Sequence, residues 1–201
     1  MINMKDLLLG ATMRAAHIPR YSAIPVNHRE SVAEHSFFVA IYADRLAVDM
    51  GLNDIFPQIL KAALWHDIEE TWTGDFIRSF KYSDPDLKSK MDDAARHCAY
   101  KVFDEILQNP VFAEMAIGIW NDAKSDNVIG KVVKFADFLS VVSYVSKETA
   151  MGNKYAQKMM EYAIPPYLDT FFSKPYSELW TYATQVDEII HGGWKDVRAC
   201  I

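Results

Sequence analysis

The chain has 201 residues, half of them hydrophobic and 24% charged, with a net charge of −6 and a pI near 5.5. That length fits a single domain over residues 1–201, with a core large enough to stand without disulfide or metal staples. The acidic balance excludes a broad electrostatic grip on nucleic acid, but not a small phosphate ligand, which needs only a few local cations.

Cys98 and Cys200 show neither framework spacing nor a CxxC pair, which is the usage of a reduced, cytoplasmic protein. The N-terminus lacks the basic and apolar regions of a signal peptide. The uncharged apolar run from Phe138 to Ser146 is far short of the ~20 residues a membrane span needs, so the chain reads as soluble. No low-complexity segment, repeat or Gly/Ser-rich linker marks a domain boundary.

Leu7, Leu8, Leu9 and Met13 form the apolar side of a first helix, which must end before Pro19. Residues 17–30 then read as irregular, mixing rings, cations and breakers. Ser31-Val-Ala-Glu34 is a capping-box pattern and opens a second helix running to about Met50, with Gly51 as its stop. Its buried stripe, Val32, His35, Val39, Tyr42 and Leu46, carries one imidazole. Asp54 begins a third helix, whose stripe of Ile59, Ala62 and Ala63 leads to His66 and Glu70 before Thr73-Gly74-Asp75 breaks it.

Asp84-Pro85 caps a long helix to about Gln108, Asn109-Pro110 ends it, and Val111 to Asp122 forms another. Ser125-Asp126 opens the next, to about Met151, with the stripe Gly130, Val133, Asp137, Val141 and Tyr144. Residues 154–172 and 175–191 read as two further amphipathic helices, the last ended by Gly192-Gly193. No run has the period-two pattern of a strand. The expected fold is an all-α, single-domain helical bundle.

The unusual stretch is Trp65-His66-Asp67-Ile68-Glu69-Glu70. On a helix, Glu70 falls at i+4 from His66 and i+3 from Asp67, so all three can face one cavity. A lone His35 reads as a core histidine bonded to a carbonyl, and a lone Asp137 as the partner of Lys134 or Arg45. Taken together, three helices each aim a metal-compatible group inward. Burying Asp67 and Asp137 uncompensated would cost several kcal/mol each, and a divalent cation is the economical compensation. Such an ion lowers the pKa of bound water and neutralises phosphate oxygens. His17 and His28 lie in the wrong context for a second metal and read as loop surface.

The ordered set His35, His66-Asp67, Asp137, with Ser-Val-Ala-Glu-His-Ser (31–36), His-Asp-Ile-Glu-Glu (66–70), Thr-Gly-Asp (73–75) and Val-Lys-Phe-Ala-Asp (133–137), resembles the HD-domain phosphohydrolase superfamily in its 5′-deoxynucleotidase branch. The resemblance implies the HD-type helical bundle, a divalent metal (Co, Mn, Zn, Mg or Fe) on His35, His66, Asp67 and Asp137, and a homodimer. It places proton transfer on Glu70 and phosphate orientation on Arg20. It puts the nucleotide against Tyr21, where the branch often has tryptophan, and against Asp75, Phe76, Ile77 and Arg78, with Asp67 and Asp137 also facing it. Lys81 and Lys134 are further candidate cations for the phosphate, each with a rival reading as a surface charge. Glu69, about 100° around the helix from Glu70, is expected to be dispensable. The implied activity is hydrolysis of a deoxynucleoside 5′-monophosphate to nucleoside and phosphate. The alternatives are triphosphate release from a deoxynucleoside triphosphate such as dATP at the same site, and a metal-retaining nucleotide sensor without catalysis.

Overall fold

The computed structural model describes residues 10–192. Leu7, Leu8 and Leu9 of the expected first helix, Gly193 and Cys200 lie outside the described residues. What is seen of that helix is α1 (Ala11–Ala15). The second helix is α2 (Val32–Asp49), and its capping box is formed: Ser31 Oγ accepts from the Glu34 amide at 3.2 Å, and Glu34 accepts from the Ser31 amide at 2.7 Å. Gly51 just beyond it takes a φ of 70°, the left-handed region that favours glycine.

A 3-10 turn, Asn53–Ile55, leads into α3 (Phe56–Trp65), and here the expected helix is too long. His66 to Glu69 form a turn, and α4 (Glu70–Thr73) is a separate short helix. The reason is local. The backbone bonds switch to the tighter three-residue step, Ile68 N to Trp65 O at 3.1 Å and Glu70 N to Asp67 O at 3.1 Å. The His66 ring meanwhile takes the Ala63 carbonyl at 2.7 Å.

Next come α5 (Arg78–Lys81), α6 (Pro85–Leu107), α7 (Pro110–Lys124) and α8 (Val128–Ala150). The side chain capping α8 is Asn127, which accepts from the Gly130 amide at 2.9 Å, rather than Ser125 or Asp126. Gly130 is required there, because a Cβ would run into the Ser125 and Asp122 carbonyls. The expected helix over 154–172 divides into α9 (Lys154–Tyr162), α10 (Ile164–Asp169) and a 3-10 turn, Thr170–Phe172. Pro165 and Pro166 supply no backbone N–H to continue α9, but fit the first turn of α10. A 3-10 stretch, Lys174–Leu179, precedes α11 (Trp180–Gly192). Among the described residues there is no strand, only an isolated antiparallel bridge between Pro19 and Ser31.

The fold is all-α. α2 packs against both α3 and α8, α9 covers α8, and α6 pairs with α7. The α2–α3 contact is made of small side chains, with Ala43, Ala47, Ala62 and Ala63 fully buried, so the two backbones approach closely. The main core adds Val39, Ile59, Val133, Phe135, Phe138, Leu168 and Phe171, the last three aromatic rings touching one another. Each such side chain contributes roughly 1.5–3 kcal/mol by leaving water. A second cluster, Ile68, Val102, Phe103, Ile117 and Trp120, seats α6 and α7 against the turn after α3. The first turns of α2, the end of α3 and the middle of α8 therefore meet at one place.

Candidate metal centre

At that place His35, His66 and Asp137 bring one ligand atom each to within 4.8 Å of one another. His35 Nε2 lies 3.1 Å from Asp137 Oδ1 and 3.3 Å from His66 Nε2. Asp67 Oδ2 is 3.0 Å from His66 Nε2 and 3.8 Å from His35 Nε2. His35 is fully buried and His66 nearly so. The alternative partners for Asp137 are engaged elsewhere: Arg45 pairs with Asp49 and Lys134 with Asp126. Asp137 instead accepts from the Tyr167 hydroxyl at 3.2 Å.

The ring tautomers follow from the outer partners. A carbonyl only accepts, so His66 Nδ1 must donate to Ala63 O, which directs the Nε2 lone pair of the neutral ring at the cluster. His35 Nδ1 meets Ser140 Oγ at 3.1 Å. Two Nε2 atoms facing each other between two carboxylates are a group that could hold a metal ion. Burial pushes His35 down to about 4. Burial also opposes charge on His66, but the Asp67 carboxylate overcomes it and holds His66 above its ordinary value. Burial works against the charge of Asp137, and its bond to His35 reverses this, down to about 2. The donor set, two imidazole nitrogens and two carboxylates, fits a divalent ion.

Around the cluster lie buried polar atoms without a hydrogen-bond partner among the described residues: Arg20 Nε, Tyr21 Oη, Glu30 Oε2 and Glu70 Oε2. Arg20 Nε and Glu30 Oε2 face each other as an ion pair, and Glu70 Oε2 is left open to a polar ligand. Arg20 Nη1 lies 3.3 Å from Asp67 Oδ2 and its Nε 3.4 Å from Glu30 Oε2. Burial and then the neighbouring Asp67 charge hold Glu70 well above the carboxylate range. Burial likewise raises Glu30 to about 7, against the pull of Arg20.

Arg20 and Tyr21 reach the cluster because residues 17–31 fold back on themselves. Arg20 N donates to Glu30 O at 2.8 Å, and Val32 N to Ile18 O at 3.0 Å. Tyr21 has a φ of 56° and stacks flat on Tyr144, with centroids 4.4 Å apart. Glu148, fully buried on α8, fastens this strap by accepting from the amides of Asn27 and His28 at 2.7 and 2.8 Å. His28 stays exposed beside Glu34, and His17 is exposed.

Of the remaining expected residues, Asp75 is half-buried and held up by burial, against the charge of Arg20. Phe76 and Ile77 are about half exposed, and the side chain of Arg78 lies outside the described residues. The Lys81 ammonium pairs with Asp92 of α6 at 3.1 Å. Lys134 pairs with the exposed Asp126 at 2.8 Å. Glu69, expected to be dispensable, is held in place. Its side chain is only 6% exposed and bonded to Trp120 and Lys124.

Sequence reasoning missed Glu30, Lys124, Ser140, Tyr144, Glu148 and Tyr167. Glu148 and Ser140 were visible as polar residues on the α8 face that also carries Asp137. Lys124 and Tyr167 have no local signal, because only the tertiary fold brings them near.

Comparison with known proteins gives a consistent picture. The family model described as 5′-deoxynucleotidase YfbR-like matches residues 8–170. A dATP triphosphohydrolase of Salmonella phage PMBT28 is 36% identical over 75 residues, covering 31% of this chain and 37% of that protein, so the match spans well under half of the curated relative. An HD-domain phosphohydrolase from Listeria innocua superposes with a TM-score of 0.60 at 18% identity, covering 91% of this chain and 96% of that one. The HD phosphohydrolase of cyanophage S-2L, solved with dA and one catalytic Zn²⁺, gives 0.58 at 20% identity over the same shares. A conserved hypothetical protein from Pyrococcus furiosus gives 0.67 at 22%, covering 94% of this chain and 99% of that one. At these identities the structural matches speak for the fold.

Proposed function

Because the chain belongs to the 5′-deoxynucleotidase YfbR-like family, we propose that it hydrolyses deoxynucleoside 5′-monophosphates at a divalent metal held by His35, His66, Asp67 and Asp137. The observation that carries the reading is the pair of imidazole Nε2 atoms 3.3 Å apart, flanked by Asp67 and Asp137. When bound, the ion supplies Lewis acidity to water and to the phosphate oxygens. Two imidazoles beside two carboxylates suit Mn, Fe, Co or Zn better than Mg, and the zinc ion of the cyanophage neighbour supports this.

The chain's own groups do the rest. Arg20 is fixed by Asp67 through Nη1 and by Glu30 through Nε, so its planar guanidinium is held in one orientation for phosphate oxygens. Glu70, held above its ordinary value by burial and by the Asp67 charge, is placed to donate a proton to the departing deoxyribose oxygen. Tyr21 stacked on Tyr144 holds the strap that carries Arg20. Asp75, Phe76, Ile77 and Arg78 follow the Thr-Gly-Asp turn and contribute the nucleotide-facing wall. The chain works as a cytoplasmic homodimer; the half-exposed Phe37, Phe38 and Ile41 on the outer face of α2 support self-association. Among the described residues no helix is long and apolar enough to cross a membrane.

The second reading, triphosphate release from dATP, is favoured by the similarity to the phage dATP triphosphohydrolase. Measuring orthophosphate, pyrophosphate and tripolyphosphate from deoxynucleoside mono- and triphosphates separates them. Orthophosphate from monophosphates supports the first reading. Tripolyphosphate from dATP with the monophosphates untouched replaces it with the second.

A further inference from the structure

Asp67 has two carboxylate oxygens with different company. Oδ2 faces His66, His35 and Arg20, while Oδ1 accepts from Lys124 Nζ at 3.3 Å. The same ammonium donates to Glu69 Oε1 at 3.1 Å, and the Trp120 indole N–H donates to Glu69 Oε2 at 2.8 Å. Lys124 also lies over the Trp120 ring, 5.2 Å from its centroid. Glu69 is thus a buried carboxylate whose two oxygens are both spent on α7. Lys124 is more open, with 38% of its side chain exposed, and a lysine stem has many rotamers. Without Glu69 the ammonium would keep Asp67 as its carboxylate partner.

We infer that Glu69 is a positioning residue for the metal centre, acting through Lys124 to set the orientation and the charge of Asp67. The inference rests on the metal reading above. Shared between two carboxylates, Lys124 pins Oδ1 and leaves Oδ2 turned to the histidines. Drawn toward Glu69, it does not fully neutralise Asp67. If Glu69 loses its charge, Lys124 moves wholly onto Asp67 and competes with a cation for it. Partners that orient a ligand in this way typically govern metal affinity by about 10–100-fold.

The test titrates Co²⁺ into the metal-free full chain by calorimetry and follows the visible Co²⁺ absorption, without nucleotide. Glu69→Gln keeps an acceptor for Trp120 but removes the charge. It is expected to weaken Co²⁺ binding about 10-fold and to alter the absorption band, while the metal-free melting temperature moves by only a few degrees. Trp120→Phe removes the indole bond and keeps both charges, and should stay within about threefold of wild type, well below the range for a lost orienting partner. Should Glu69→Gln not fold, Glu69→Asp, which keeps the charge but shortens its reach, must show the loss instead. Wild-type affinity and an unchanged band in the Glu69 variants overturn the inference, as does a Trp120→Phe loss equal to theirs. Wild-type protein that takes up no Co²⁺ overturns the metal reading itself, which is a distinct result.

Discussion

Glu148→Ala should release the strap that carries Arg20 while leaving every proposed metal ligand in place. Glu148 is fully buried and accepts from Asn27 N at 2.7 Å, His28 N at 2.8 Å and Asn153 Nδ2 at 2.7 Å. Alanine leaves two backbone amides without their acceptor, and each orphaned donor costs about 1–3 kcal/mol. Asn153 can turn to the Pro25 carbonyl it already reaches at 2.9 Å, and Tyr144 keeps His28 O at 2.6 Å, so part of the strap stays tethered. The expected loss is therefore roughly 3 kcal/mol of unfolding free energy. Urea denaturation measures it, and a nucleotide assay on the same sample should show turnover falling as Arg20 loses its place. The pH dependence has a definite sign. Burial opposes charge on Glu148, but the amides of Asn27 and His28 and the Asn153 side chain hold it below its ordinary value of 4.5. Its contribution is thus present at neutral pH and lost as pH falls below about 4.5. A loss under about 1 kcal/mol with unchanged turnover would refute the assignment of Glu148 as the clasp.

Arg20→Lys keeps the charge but not the planar fork, and should lower turnover about 10-fold or more; normal kinetics in Arg20→Ala would return the arginine to a structural role. Glu70→Ala should bind metal and nucleotide nearly as wild type yet turn over ~10²–10⁴ more slowly, and loss of metal from it would make Glu70 a ligand instead. Phe135→Ala, at the meeting of three aromatic rings, should cost about 3–5 kcal/mol by denaturation, and a loss near zero would mean the core described is not cooperative.

Much of the fold was legible because capping and breaking residues act locally. Ser31 with Glu34 and Asp84 with Pro85 start helices where the sequence puts them, and Asn109-Pro110, read as the end of one helix, also caps the next. His35 and Asp137 stood out because each interrupts an apolar face, and the fold brings them to 3.1 Å. The helix was carried too far past His66, since periodicity does not register a change from four-residue to three-residue bonding. The 100° step between Glu69 and Glu70 assumed a continuous helix, so it did not show that Glu69 is bonded to Trp120 and Lys124. Lys124 lies 57 residues from Asp67, and Tyr167 lies 30 from Asp137. Contacts at that range depend on how α7 and α10 pack, which no local pattern encodes.

The central claim is a single divalent ion, held by His35, His66, Asp67 and Asp137, on which phosphate release depends. Titrating Mn²⁺ or Co²⁺ back into chelated protein while following orthophosphate release from a deoxynucleoside 5′-monophosphate tests it directly. The account predicts no release from the chelated chain, a rate that rises to a plateau at one ion per chain, and none at any ion concentration in Asp137→Ala. Full activity in the chelated chain, or an Asp137→Ala curve matching wild type, would contradict it.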